Sequence, residues 1–188
     1  MRYDWSELYA SVRGCEACEL CKNRTNVVIG EGDPHAELLF VGEGPGREED
    51  LSGRPFVGAA GKLLDKMLAA IDLKREQVYI ANVVKCRPPQ NRTPFNDEAK
   101  SCLIHLRAQF ALIQPQIVVC LGATAAKYVY DEQVRITQDR GVWKQKKGVW
   151  FLPTYHPSAL LRDESKKADA WTDMKKIRAK LDELHQKA

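Results

Sequence analysis

No apolar run in this chain approaches the roughly 18 residues that a membrane helix needs. The first ten residues carry acids and lack the apolar core of an export signal, so the cytoplasm is the expected place of action. A large excess of one charge is missing as well. The formal charge of +4 permits a nucleic-acid partner without demanding one. There is no internal repeat and no low-complexity linker, which leaves residues 1–188 as a single domain. Two phosphate-binding patterns also fail. A Walker loop needs G-x-x-x-x-G-K-[ST], but Gly61-Lys62 precedes Leu63 and Phe56 stands at the first glycine position. A dinucleotide fingerprint needs G-x-G-x-x-G, and after Gly42 and Gly44 the third position holds Arg47. The six cysteines do not form a disulfide framework of the kind that staples small secreted domains, because the chain is long enough to fold without one. Metal ligation or plain burial is the better use for them.

What is present is an alternation of strands and helices. Trp5, Leu8, Tyr9 and Val12 recur at helical spacing. Apolar runs at 37–41, 78–84, 116–121 and 149–154 read as four strands, and 61–71, the stretch from an Asp97 cap to about Ile113, and 122–130 read as helices. Trp171, Met174, Ile177, Leu181 and Leu184 mark a closing helix. The expected fold is an α/β/α sandwich in three layers around a central, mainly parallel four-stranded sheet. Residues 140–147 read as a basic, solvated turn. Ligands of such sheets bind beyond the carboxyl ends of the strands. The Gly42 loop, residues 82–92 and residues 156–162 all fall there.

The loop GEGPGREEDLSGRPFVG, residues 42–58, combines glycines, four acids and a phenylalanine. Acids repel phosphates. A neutral ring that departs as an anion suits the stretch better: Phe56 offers a stacking face, the glycines admit a flat base to the main chain, and carboxylates orient water or stabilise a sugar cation. Taken singly, each acid reads better as a solvated surface group; the loop as a whole reads as functional because it sits at a strand end.

Cys15-x2-Cys18 is followed by Cys86 and, fifteen intervening residues later, Cys102. Four thiolates suit zinc or a four-iron cluster. Cys21 extends the first pair toward a ferredoxin-like run, but Thr25 stands at the next cysteine position, so Cys21 is open between ligand and spare thiol. Cys120 lies in an apolar strand and reads as a core thiol.

These residues, together with GRPFVG, ANVVKCRPPQNR and HPSALLR at 156–162, resemble the family 4 uracil-DNA glycosylases, the iron-sulfur members of the uracil-DNA glycosylase superfamily. The resemblance covers nearly the whole chain. A related group that traps the abasic product covalently carries a K-R-R-I-H insertion, absent after Asn91-Arg92. The resemblance implies a structural 4Fe-4S cluster held by Cys15, Cys18, Cys86 and Cys102, with Cys21 outside the set. It implies an enzyme that flips uracil out of DNA and hydrolyses its N-glycosidic bond, leaving an abasic site.

On that reading HPSALLR is the loop that enters the duplex, with Leu160 and Leu161 as an apolar wedge and Arg162 filling the gap or holding phosphate. Core packing is the rival use for one of the two leucines. Phe56 stacks on uracil, Gly44 gives a main-chain contact, and the amide of Asn82 meets the N3–H and O4 edge. His156 donates to O2, where charge grows as the bond breaks. For the water, Glu43 is the first candidate and Glu49 the second. Lys85, Arg87, Arg92 and Arg162 form the expected phosphate rim. The partner is uracil-containing DNA, single- or double-stranded, with no membrane, and the protein acts as a monomer. Two alternatives stand beside this: a non-catalytic nucleic-acid-binding module stapled by metal, and a glycosylase for another deaminated base such as hypoxanthine.

Overall fold

LLFVG, YIAN and IVVCL are apolar at nearly every position because both sheet faces are covered. In the computed structural model, which describes residues 4–186, they form β2 (Leu38–Gly42), β3 (Tyr79–Asn82) and β4 (Ile117–Leu121), and the fourth expected strand is β6 (Val149–Thr154). These four pair in parallel in the order β3-β2-β4-β6. Each edge carries one short antiparallel strand that the sequence reading did not include, β1 (Glu31–Gly32) and β5 (Lys144–Lys146), so the sheet has six strands. Neither has an apolar alternation to betray it. β5 lies in the stretch read as a basic turn, and lysines on an edge strand discourage further pairing. β1 depends on Gly32, where a Cβ would lie 1.9 Å from the Val78 carbonyl oxygen.

Helices cover both faces. Leu38, Phe40, Ile80, Val119 and Leu152 point to one side, against α3 (Ala59–Ala69) and α8 (Lys167–His185). Leu39, Val41, Ala81, Val118 and Cys120 point to the other, against α4 (Asn96–Ile113) and α5 (Gly122–Val129). Burying each such leucine or isoleucine contributes about 1.5–3 kcal/mol relative to exposure. At the N-terminus, α1 (Trp5–Arg13) is closed by a reciprocal cap between Asp4 and Glu7 and packs Leu8 and Val12 against residues of α4.

The expected cap at Asp97 is displaced. Phe95 is the N-cap of α4, and the Glu98 carboxylate accepts from the Phe95 N–H at 2.7 Å. Asp97 falls in the first turn, where its charge suits the helix dipole. α8 is tied to β6 through Asp173, which is fully buried. It accepts from the Thr154 hydroxyl at 2.7 Å and from Arg140 Nη2 at 2.8 Å, so the buried charge is paired.

The register brings the strand ends into one row: Gly42 opposite Asn82, Val41 opposite Cys120, and Leu121 opposite Thr154. Glu43, Gly122 and Tyr155-His156 are therefore the first residues past that row.

Candidate active site

A cavity of about 650 Å³ opens above the row of strand ends. Its lining includes Glu43, Gly44, Glu49, Phe56, Asn82, Arg92, His156 and Arg162, so every base-reading and carboxylate residue named from sequence reaches one space. Leu160, Leu161 and Arg87 lie outside the lining.

The floor is built by excluding side chains. A Cβ on Gly42 would sit 2.4 Å from Asn82 Oδ1 and 2.5 Å from Phe56 Cζ, so only glycine lets these two groups meet over the end of β2. Asn82 is buried, and its Oδ1 has no hydrogen-bond partner among the described residues. An unpaired buried acceptor costs about 1–3 kcal/mol, a cost that a ligand N–H would remove. Behind it, Lys85 is buried rather than part of a phosphate rim. Its Nζ donates to the Asn82 carbonyl at 2.8 Å and to Gln109 Oε1 at 2.5 Å. Burial brings its pKa down to about 8.

Phe56 forms one wall, its ring 5.4 Å from that of His156 and tilted by 31°. Its backbone is left-handed, with φ of 51°, which costs a non-glycine residue on the order of 1–2 kcal/mol. Three neighbours hold it there. Arg75 donates to the Phe56 carbonyl at 3.0 Å and also to the Pro55 carbonyl. Glu49 Oε1 accepts from the N–H groups of Val57 and Gly58, both at 2.9 Å. Gly61 leaves space for the Phe56 carbonyl, which would lie 1.8 Å from a Cβ. The sequence reading missed Arg75, which sits beyond a helix with no motif to mark it.

The acids now separate by what they touch. They lie on and before α2 (Arg47–Ser52), a short helix inside the stretch read as a loop. Glu49 accepts three backbone N–H groups, the third from Gly46 at 3.1 Å, which nearly fills a carboxylate's capacity. Asp50 is buried and accepts from the Thr25 N–H at 2.8 Å. Glu48 is exposed. Glu43 accepts only from the hydroxyl of Thr124, on its Oε2. Its other oxygen has no hydrogen bond among the described residues.

His156 is the N-cap of α7 (Pro157–Arg162), so HPSALLR is a short helix and not a loop. Pro157 suits the first helical position because its missing N–H is not needed there. His156 Nδ1 accepts the Ser158 N–H at 3.1 Å, which places the ring proton on Nε2 in the neutral form. Burial, reinforced by the Arg162 charge and opposed by Glu49, brings the His156 pKa down to about 4. Near neutral pH the ring is therefore an uncharged N–H donor at the cavity wall. Leu160, expected as half of a wedge, is 2% exposed and packs with Tyr155 and Ala170. Leu161 is 49% exposed.

Of the expected basic rim, Arg162 alone is both exposed and at the cavity. Arg92 is held by both Glu98 oxygens at 2.7 and 2.8 Å and lies over the Phe95 ring. Arg87 Nε donates to Asn91 Oδ1 at 2.7 Å.

A second, smaller cavity is lined by Cys15, Cys18, Cys21, Cys86 and Cys102, with Lys85 and His105. The fold thus unites the four named cysteines, and Cys21 stands with them. The sulfurs meet donors: Arg24 Nη1 lies 3.3 Å from Cys86 Sγ, and the Lys85 N–H lies 3.3 Å from Cys102 Sγ. Burial pushes the Cys102 thiol up to about 11 and raises Cys86 and Cys18 too. The thiolates needed for ligation thus form together with a metal that displaces their protons. Cys120 lies apart, fully buried in β4 as a core thiol.

A sequence profile of the Uracil DNA glycosylase superfamily matches residues 29–179. Among characterised proteins, the chain is 52% identical to the Type-4 uracil-DNA glycosylase of Thermotoga maritima, over 82% of this chain and 81% of that one. It is 49% identical to the Type-4 uracil-DNA glycosylase of Sulfurisphaera tokodaii, over 89% and 80%, and 44% identical to that of Archaeoglobus fulgidus, over 91% and 90%. On the profile match and these identities, the chain belongs to the uracil-DNA glycosylase superfamily, alongside its Type-4 members.

Proposed function

We propose that this glycosylase takes a flipped uracil into the 650 Å³ cavity and hydrolyses its N-glycosidic bond, releasing free uracil and leaving an abasic site in DNA. The unpartnered Oδ1 of Asn82 carries the reading. It accepts from uracil N3–H while the amide nitrogen donates to O4. Cytosine presents the reverse pattern on that edge and leaves both groups mismatched. Phe56 stacks on the ring and Gly44 offers its main chain.

As the bond between N1 and C1′ breaks, the electron pair moves to the base and positive charge grows on the sugar. His156 Nε2–H stabilises the first charge by donating to O2. Glu43, with one oxygen engaged by Thr124, faces the second and orients the water that adds at C1′. The water oxygen bonds to C1′, and the proton it gives up, taken by Glu43, ends on N1 of the departed uracil anion. Glu49, committed to three backbone N–H groups, acts through the shape of the loop. Leu161 enters the gap left by the flipped nucleotide, with Arg162 on the adjacent phosphate.

A 4Fe-4S cluster ligated by Cys15, Cys18, Cys86 and Cys102 fits the second cavity. Its lining brings these four thiols together, the ligand number that such a cluster takes. These four cysteines would hold the group between the segment after α1 (Cys15, Cys18), the loop before α4 (Cys86) and α4 itself (Cys102), where it would supply a structural staple. The enzyme acts on DNA as a monomer in the cytoplasm. Among the described residues no helix is long and apolar enough to cross a membrane.

Phe56→Ala separates this reading from a binding module. Expected is a loss of uracil release with DNA affinity within about threefold of the parent, because phosphate contacts set most of that affinity. Unchanged cleavage would refute the pocket.

A further inference from the structure

Thr124, which donates to Glu43, lies outside every motif that marks the cavity. The contact arises from topology. β4 neighbours β2 in parallel, with Val41 opposite Cys120, so the chain leaving β2 runs beside the chain leaving β4. Leu121 ends β4 and Gly122 opens α5 at once, with φ of 89°. A Cβ on Gly122 would lie 3.0 Å from His156 Cβ, so the bare backbone lets the first turn of α5 sit tight against the histidine. That turn places Thr124 in the cavity lining, where its hydroxyl donates to Glu43 Oε2. α5 carries no side-chain cap of its own.

We propose that Thr124 is a positioning residue for the reaction, fixing the Glu43 carboxylate so that its uncommitted oxygen faces the sugar and the attacking water. The proposal rests on the reading of Glu43 above. A carboxylate on a flexible side chain has three rotatable bonds, and a misplacement of about 1 Å can cost 100-fold in rate. No other hydrogen bond restrains Glu43 among the described residues. Removing the hydroxyl frees the side chain and leaves the base-reading residues in place.

The test is single-turnover cleavage of a uracil-containing oligonucleotide by the full chain, alongside its affinity for the same DNA. Thr124→Val should slow cleavage by about 10-fold or more, the usual effect of losing a hydrogen bond to a charged group, with affinity unchanged. Thr124→Ser, which keeps the hydroxyl, should stay within about threefold of the parent. In a Glu43→Gln background, Thr124→Val should add little, because the two residues act as a unit. Should Thr124→Val fold poorly, Thr124→Ala carries the same expectation, with thermal unfolding checking that each variant is folded.

A normal rate for both hydroxyl-free variants while Glu43→Gln is slow would overturn the positioning role and leave the Glu43 reading intact. An equal loss in parent and Glu43→Gln backgrounds would also overturn it, since Thr124 would then act elsewhere. A normal rate for Glu43→Gln itself would sink the reading of Glu43, and this proposal with it.

Discussion

Asn82→Ala should move stability and activity in opposite directions. Among the described residues Asn82 Oδ1 is buried without a partner, which costs about 1–3 kcal/mol. Alanine removes that cost and leaves only a small void, open to the cavity. The folded state should lose little and can gain, so the melting temperature should stay level or rise. Cleavage should collapse. Two hydrogen bonds to the base edge are lost, each worth about 1–3 kcal/mol at a desolvated site, which together predict a loss of roughly 30- to 25,000-fold. The assay pairs thermal unfolding with single-turnover uracil release. A variant that melts far lower and cleaves poorly would mean that Asn82 is a structural group whose loss merely unfolds the site. Normal cleavage would mean that it does not read the base. Either result refutes the reasoning.

Three further outcomes follow from the structure. His156 has a folded pKa of about 4 against an ordinary value of 6.5, so the unfolded chain binds more protons between these values. Its contribution to stability should fall as pH drops from 6.5 toward 4 and be constant above that window. An NMR titration that finds His156 protonating near 6.5 would contradict the neutral-donor assignment. Arg75→Met should remove the clamp on the left-handed Phe56 and lower kcat/KM by about 10-fold, from the loss of charged hydrogen bonds. Unchanged kinetics would show that the loop holds itself. Cys86→Ser should lose iron and the absorbance near 400 nm and destabilise the fold, whereas Cys120→Ser should keep its iron. Equal iron loss in both would contradict the ligand set.

The parallel core was legible because β2 and β4 are buried at every position and read as unbroken apolar runs, with β3 and β6 close to that pattern. β1 and β5 were not, since two or three polar residues on an edge leave no periodic signal. Within the site, Phe56, Asn82 and His156 stand in motifs at strand ends, where parallel sheets bind ligands. The finer roles depend on contacts between distant segments. Glu49 and Glu43 look alike in GEGPGREED, yet one is consumed by the N–H groups of residues 46, 57 and 58 and the other meets a threonine 81 residues away. Lys85 looked like a surface cation because nothing in VVKCR shows that Gln109 waits inside α4 to receive it. Leu160 and Leu161 are adjacent and chemically identical, and only the turn of α7 decides which one is buried.

The central claim is that the cavity holds a flipped uracil and that its glycosidic bond is cut there. The most direct measurement uses three labelled oligonucleotides, identical except for one uracil, thymine or hypoxanthine. Each is incubated with the protein and treated with alkali to reveal abasic sites. The account predicts scission at uracil, with free uracil as the released base, and none at thymine or hypoxanthine. Scission at hypoxanthine in preference to uracil, or bound DNA with no scission at all, would contradict it.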